Sequence, residues 1–131
     1  MKRLVFKSIE RIKEAIPDIL HIAMFYNNGV IFETTFSQEF NIPKLGENFA
    51  EILEHFRKVY NLLNFEYSKY EKVIFETENI SIFIIKLGEE SNIALFFKKD
   101  EPQDINLNSI RKYLDRIQDL IDMDKEELKA D

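Results

Sequence analysis

Cysteine is absent from this chain of 131 residues. Disulfides, thiolate metal sites and cysteine nucleophiles are excluded together, and the composition suits a reducing compartment. Glycine is nearly as scarce. Gly29, Gly46 and Gly88 each read as turn punctuation, so neither a phosphate-cradling loop nor a dinucleotide fingerprint can be assembled. Long apolar runs are missing too. The uncharged stretches fall far short of the roughly 20 residues a membrane helix needs. Met1-Lys2-Arg3-Leu4 leads into charged residues instead of a signal-peptide core. A soluble, cytoplasmic protein is expected. Positive charge is the last shortage: 18 basic against 24 acidic residues leave a net charge of -6 and a pI near 5.0. Nucleic acid demands a basic face, so it is not an expected partner. The first helix alone is locally basic, through Lys2, Arg3, Lys7, Arg11 and Lys13. An anionic partner could sit there, against the plainer reading of a solvated face beside an apolar stripe.

What the chain does have is hydrophobic residues, 45% of the total, enough for one domain with a core that buries somewhat under about 70% of the unfolded surface. No linker-like, low-complexity or repeated segment divides it. Residues 1–123 are expected to form a single domain, followed by a charged tail, 124–131, that frays.

The pattern of periods predicts helix, two strands, helix, three strands, helix. The firmest local signal is Asn27-Asn28-Gly29 between strands 19–26 and 30–36, because Asn-Gly readily takes the positive φ angles of a tight two-residue turn. A second pair, 72–77 and 80–87, is separated by Glu78-Asn79. Gly88-Glu89-Glu90-Ser91 then turns the chain into 92–98. In strand four Ile80, Ile82 and Ile84 line one face and Phe83, Ile85 and Leu87 the other. In strand five Ile93, Leu95 and Phe97 stand against Ala94 and Phe96. Strands apolar on both faces must be covered on both. Glu33 and Glu76 interrupt one face of strands two and three, which places those two at the margins. The expected fold is α+β: α-β-β-α-β-β-β-α, a five-stranded antiparallel sheet with helices on both faces.

Val5, Ile9, Ile12 and Ile16 recur at helical spacing in the first helix, which Pro17 stops. In the second, Phe49, Ile52, Leu53, Phe56, Val59, Tyr60 and Leu63 cover about a third of the circumference. His55 and Leu62 widen that stripe on one flank, which is free to meet something beyond its own sheet. The third helix, residues 107–123, uses Ile110, Leu114, Ile117, Leu120 and Ile121, after an acidic loop around Asp100, Glu101, Pro102 and Asp104.

Catalytic constellations do not assemble. The serines lack a nucleophile-elbow context. His55 lies one turn after Glu51, but two ligands fall short of the three that a catalytic metal site uses. His21 reads as a hydrogen-bonded core or interface residue. Glu33 and Glu76 sit at opposite margins of one sheet, too far apart for joint acid/base work. The reading is a non-enzymatic module with no catalytic residue, cofactor or metal.

The segment 72–97, KVIFETENISIFIIKLGEESNIALFF, resembles the second half of a Roadblock / dynein light chain domain: a strand ending in Glu76-Thr77, a strand closing on Leu87-Gly88 with acidic residues, then an apolar strand. The first half agrees, with Ile16-Pro17 before strand one, the Asn28-Gly29 turn, and a long helix opening near Gly46-Glu47-Asn48-Phe49-Ala50. The resemblance covers residues 4–122. Three features depart from the pattern: no glycine between strands three and four, an aromatic and polar segment 64–71, and twelve phenylalanines. Longin and profilin-like domains share a related sheet, but a longin domain begins with strands.

The resemblance implies a homodimer, or a heterodimer with a paralogue, in which strand three pairs with its symmetry mate and the second helices pack antiparallel. It also implies a role as scaffold or regulator of a Ras-like small GTPase, or as adaptor subunit of a motor or trafficking complex. Independently of it, residues 72–77 contain no proline and no bulge signal, so an open edge there invites pairing. Val73, Phe75, His55, Val59 and Leu62 are the expected self-association residues, against the plainer reading that Val59 and one face of strand three fill the protomer core. A second function class, a small-molecule sensor using the phenylalanine-rich interior as a pocket, stands beside this one.

Overall fold

The computed structural model describes residues 2–98 and 111–130, with side chains for 7–98, 111–120, 122 and 123. The elements are α1 (Lys2–Ala15), β1 (Ile19–Tyr26), β2 (Ile31–Thr34), α2 (Ile42–Leu62), β3 (Lys72–Glu76), β4 (Ile80–Lys86), β5 (Ser91–Lys98) and α3 (Arg111–Ala130). All strand pairs are antiparallel, and the sheet order is β2-β1-β5-β4-β3. The doubly apolar strands are central and the glutamate-interrupted ones are the edges, as the residue pattern requires.

The two faces of the sheet take different cover. Ile22 and Met24 of β1, Phe83 and Ile85 of β4, and Ile93, Leu95 and Phe97 of β5 pack with Ile9 and Ile12 of α1 and Leu114, Ile117 and Leu120 of α3. On the opposite face Ala23, Phe25, Ile84 and Ala94 meet Phe49 of α2. Leu20 is bulged out between Ile19 and His21, where the β1–β5 register shifts, so Ile19 returns to the two-helix face with Ile22.

Several boundaries differ from expectation for local reasons. α2 begins at Ile42, a full turn before the Gly46–Ala50 region. Asn41 caps it by accepting the Lys44 amide at 3.2 Å, and Pro43 occupies the first turn, where its missing N–H costs nothing. The first hairpin is not a two-residue turn. Gly29 N–H donates to the Tyr26 carbonyl at 2.8 Å and Tyr26 N–H to the Val30 carbonyl at 2.9 Å. Only Gly29 of this turn has positive φ, +93°, so the loop has three residues with glycine in the left-handed position.

Gly46 is not turn punctuation either. It is buried inside α2, and a Cβ there would lie 1.8 Å from the Gly29 carbonyl oxygen. Helix backbone rests directly on hairpin backbone. The Glu78-Asn79 connection closes as expected, with Thr77 N–H donating to the Ile80 carbonyl at 3.0 Å. α3 runs to Ala130, past the end of its apolar pattern at Met123. Ile110, the start of that helix at residue 107 and the acidic loop Asp100–Asp104 lie outside the described residues. So do the side chains of Lys2, Arg3, Val5, Ile121 and 124–130.

Candidate interaction surface

α2 carries two adjacent apolar stripes, since residues three and four apart are neighbours on a helix. The first, Phe49, Leu53, Phe56 and Tyr60, leans toward the sheet, with Phe49 buried and Leu53 packed against its cluster. The second, Ile52, His55, Val59 and Leu62, is exposed throughout, and Leu62 is 81% accessible. A free protomer thus leaves a large part of the apolar surface of α2 in water.

β3 continues that surface. Val73 pairs with Ile84 and Phe75 with Ile82, and Ile84 and Ile82 belong to the α2 face. Alternation therefore points Val73 and Phe75 to that face and Ile74 to the other. Val73 is half-buried against the α2-face cluster, whereas Phe75 is 64% exposed. Phe56 and Tyr60 of α2 and Lys72 and Val73 of β3 line one open groove of about 620 Å³. Beyond β3 the sheet has no further strand among the described residues. An unpaired strand edge and a broad exposed apolar surface thus meet at one margin.

The five residues singled out in the sequence divide accordingly. Val59, Leu62 and His55 form a solvent-facing row on α2, and Phe75 is exposed on β3. Val73 alone contributes to protomer packing. The pattern had not distinguished Ile52 and Phe56, 41% and 48% exposed, from core positions, because a helix on a half-covered sheet buries only one side of its apolar stripe.

The opposite sheet margin is built differently. β2 is four residues long, and the Thr35 amide donates to the Ile22 carbonyl at 2.9 Å. His21 is half-buried there, its Nδ1 3.1 Å from the Thr35 hydroxyl and its ring stacked on Phe36 at 4.1 Å. Glu33 and Glu76 stand on the two opposite edge strands. The described residues hold no group of three His, Asp or Glu able to chelate a metal, and no helix long and apolar enough to cross a membrane. Around the phenylalanines the interior is filled by rings on rings: Phe25 stacks on Phe49 at 5.1 Å, and Phe96 meets Phe49 at 6.1 Å and Phe36 at 5.0 Å.

A polar cluster at the turn end of the sheet escaped the sequence pattern. Asn92 is fully buried. Its Nδ2 donates to the Phe25 carbonyl at 3.2 Å and to Asn27 Oδ1 at 3.0 Å, and its Oδ1 accepts the Tyr70 hydroxyl at 2.5 Å. Lys86 Nζ donates to Asn27 Oδ1 at 2.6 Å and, more weakly, to Asn92 Oδ1 at 3.4 Å. Burial pushes the Tyr70 phenol well above its usual pKa. Burial, reinforced by Lys69, pulls the Lys86 ammonium below its usual value, while Glu89 and Glu90 act in the opposite direction. An asparagine at the mouth of an apolar strand was the only available sign.

No protein-family model matches the chain, and no curated protein matches it in sequence. Solved structures do match. MglB of Myxococcus xanthus superposes with a TM-score of 0.68 at 12% identity, covering 94% of this chain and 95% of that one. An MglB in a tetrameric arrangement gives 0.64 at 13% identity over 95% and 91%. A Roadblock/LC7 domain from Streptomyces avermitilis gives 0.67 at 8% identity over 92% and 93%. Likeness at this level of identity speaks to architecture, and it agrees with the strand order and helix placement above: the chain has the Roadblock/LC7 fold.

Proposed function

We propose that this chain is a non-enzymatic dimeric scaffold or regulatory module that binds a Ras-like small GTPase. The observation that carries the dimer is the junction of β3, the outermost strand of the sheet among the described residues, with exposed Phe75 and the solvent-facing row Ile52, Val59 and Leu62 of α2. Large exposed apolar patches on soluble proteins mark interaction sites. A flat strand edge without proline is a template for pairing. A two-fold axis beside β3 satisfies both at once. Antiparallel pairing of β3 with its mate joins two five-stranded sheets into one, and the two α2 helices cover each other's apolar rows, with His55 at the rim. Self-association in a protein of like fold, the tetrameric MglB, agrees with this.

The GTPase partner rests on the Roadblock resemblance, and a chain with a filled interior is better suited to present a surface than to enclose a ligand. Sedimentation of the purified chain tests the dimer. A monomer at roughly tens of micromolar, where an interface of the standard ~800 Å² per partner holds, overturns it. Pull-down with nucleotide-loaded small GTPases from the same organism tests the partner, and indifference to all of them removes it.

A further inference from the structure

We propose that β3 pairs with a second copy of this chain, and not with a paralogue, in one register: Ile74 on the two-fold axis, Lys72 facing the partner's Glu76, and Val73 facing the partner's Phe75. This rests on the two-fold pairing of β3 proposed above and adds the identity of the partner and the alignment of the seam. Main-chain direction narrows the choice. Lys86 N–H donates to the Glu71 carbonyl at 3.1 Å and Thr77 N–H to the Ile80 carbonyl at 3.0 Å. Inward and outward groups alternate along an antiparallel strand. Val73 and Phe75 therefore also bond toward β4, and Lys72, Ile74 and Glu76 turn their N–H and C=O groups to the edge that is outermost among the described residues. A symmetric ladder must match these outward residues with one another, so the axis passes through a residue of β3. Centred on Ile74, every outward group of Lys72–Glu76 finds a counterpart. Centred on Val73, Glu76 would face the partner's Tyr70, and centred on Phe75, Lys72 would face the partner's Glu78, both outside β3.

Side chains favour the same alignment. The strand reads Lys-Val-Ile-Phe-Glu, with a cation at one end and an anion at the other, so antiparallel copies set opposite charges face to face at both ends of the ladder. Ile74 pairs with Phe83, which places Lys72, Ile74 and Glu76 on the α1 and α3 face. Ile74 is 46% exposed, and on the axis the two copies of it cover each other. On the α2 face exposed Phe75 meets the partner's Val73 in the closely spaced, non-hydrogen-bonded position. That is where the groove lined by Phe56, Tyr60 and Val73 reaches the edge, so each copy's Phe75 covers the end of the other's groove. An edge complementary to itself in charge and in apolar contact singles out a second copy as its occupant.

The lack of cysteine makes a single-cysteine scan of the full-length chain unambiguous. Ile74→Cys sets two thiols across a Cα spacing of about 5.5 Å, within the range a disulfide spans, whereas Val73→Cys and Phe75→Cys each stand two residues out of step with their own copies. Copper-catalysed oxidation is expected to link Ile74→Cys into a covalent dimer and to leave the other two unlinked. In sedimentation, Lys72→Glu and Glu76→Lys are each expected to raise the dimer dissociation constant roughly tenfold or more, because each creates like-charge pairs at both ends of the seam. An equimolar mixture of the two, and Lys72→Glu/Glu76→Lys in one chain, are expected to restore association. Linkage at position 73 or 75, no linkage at 74, or a mixture no tighter than the single variants overturns the register while the parent's dimer stands. A parent chain that sediments as a monomer overturns the register and the dimer together.

Discussion

The two faces of the sheet are built from the same kind of residue and end in different states. Against α1 and α3, Ile22, Met24, Ile93 and Leu95 lose all contact with water. Under α2, only Phe49 of the long apolar stripe is buried, while Ile52, Phe56, Val59 and Leu62 stay exposed. Two helices seal one face, whereas one helix seals only the middle of the other, over Ala23, Phe25 and Ala94, and leaves its own outer side and Phe75 open. Hydrophobicity that serves the fold on one side is left over for association on the second. The difference yields a ranking of what substitutions should do.

The largest effect belongs to the sealed face. Leu95→Ala removes a fully buried side chain between β-sheet and helices and is expected to cost about 2–5 kcal/mol in urea denaturation, whatever the protein concentration. A loss that appeared only as concentration rose would place Leu95 in an interface instead of the protomer core.

Next comes the seam between hairpin and α2. A methyl group at Gly46 would meet the Gly29 carbonyl oxygen at 1.8 Å. Backbone cannot give way as a side-chain tip does, so α2 must lift. Gly46→Ala is expected to cost about 1–3 kcal/mol, although alanine is the better helix former by ~1 kcal/mol. An unchanged urea midpoint would show that α2 is docked loosely on its face.

How much of this could be read in advance follows from the range of each interaction. The edge strands were legible, because Ile80–Leu87 is apolar on both faces and Glu33 and Glu76 mark edges. Those are properties of a strand's own residues. Helix α1 was legible for the same reason, through Ile9, Ile12 and Pro17. The role of Gly46 was not, since it exists only where hairpin backbone touches helix backbone. The earlier start of α2 was written in Asn41 and Pro43 and was outweighed by the glycine nearby. The polar cluster of Asn92, Tyr70, Asn27 and Lys86 joins residues from four separate segments, and no local period announces it. Exposure of the α2 row was anticipated only on its His55 and Leu62 flank, because the amount of sheet left to cover is a tertiary quantity.

The buried hydroxyl of Tyr70 gives a smaller effect with a pH signature. Tyr70→Phe removes the donor to Asn92 Oδ1 and is expected to cost about 1–2 kcal/mol at neutral pH. The phenol's pKa is raised in the folded state from an unfolded value of 10.0. Its protonation therefore stabilises the fold fully below pH 10, and that contribution is lost as pH rises above it, where the unfolded chain releases the proton first. The lowered pKa of Lys86 has the opposite slope, so only the difference between parent and variant is diagnostic. The gap between them should narrow between about pH 10 and 12. A constant gap would mean that the Tyr70 hydroxyl is ionising as freely in the fold as outside it.

The smallest expected effect sharpens the comparison most. Leu62 is 81% exposed, so in a lone protomer Leu62→Ser should alter stability by no more than about 0.5 kcal/mol, the ordinary range of a surface substitution. If the α2 row meets its mate across a two-fold axis, the same change must weaken the dimer, and linkage then makes the apparent stability depend on concentration. Parent and variant should unfold together at high dilution and diverge as concentration rises, with sedimentation showing the variant monomeric where the parent is not. Divergence at every concentration would make Leu62 part of the protomer's own core. Coincidence at every concentration would return the exposed row to solvent and leave the β3 edge as the sole support for a shared sheet.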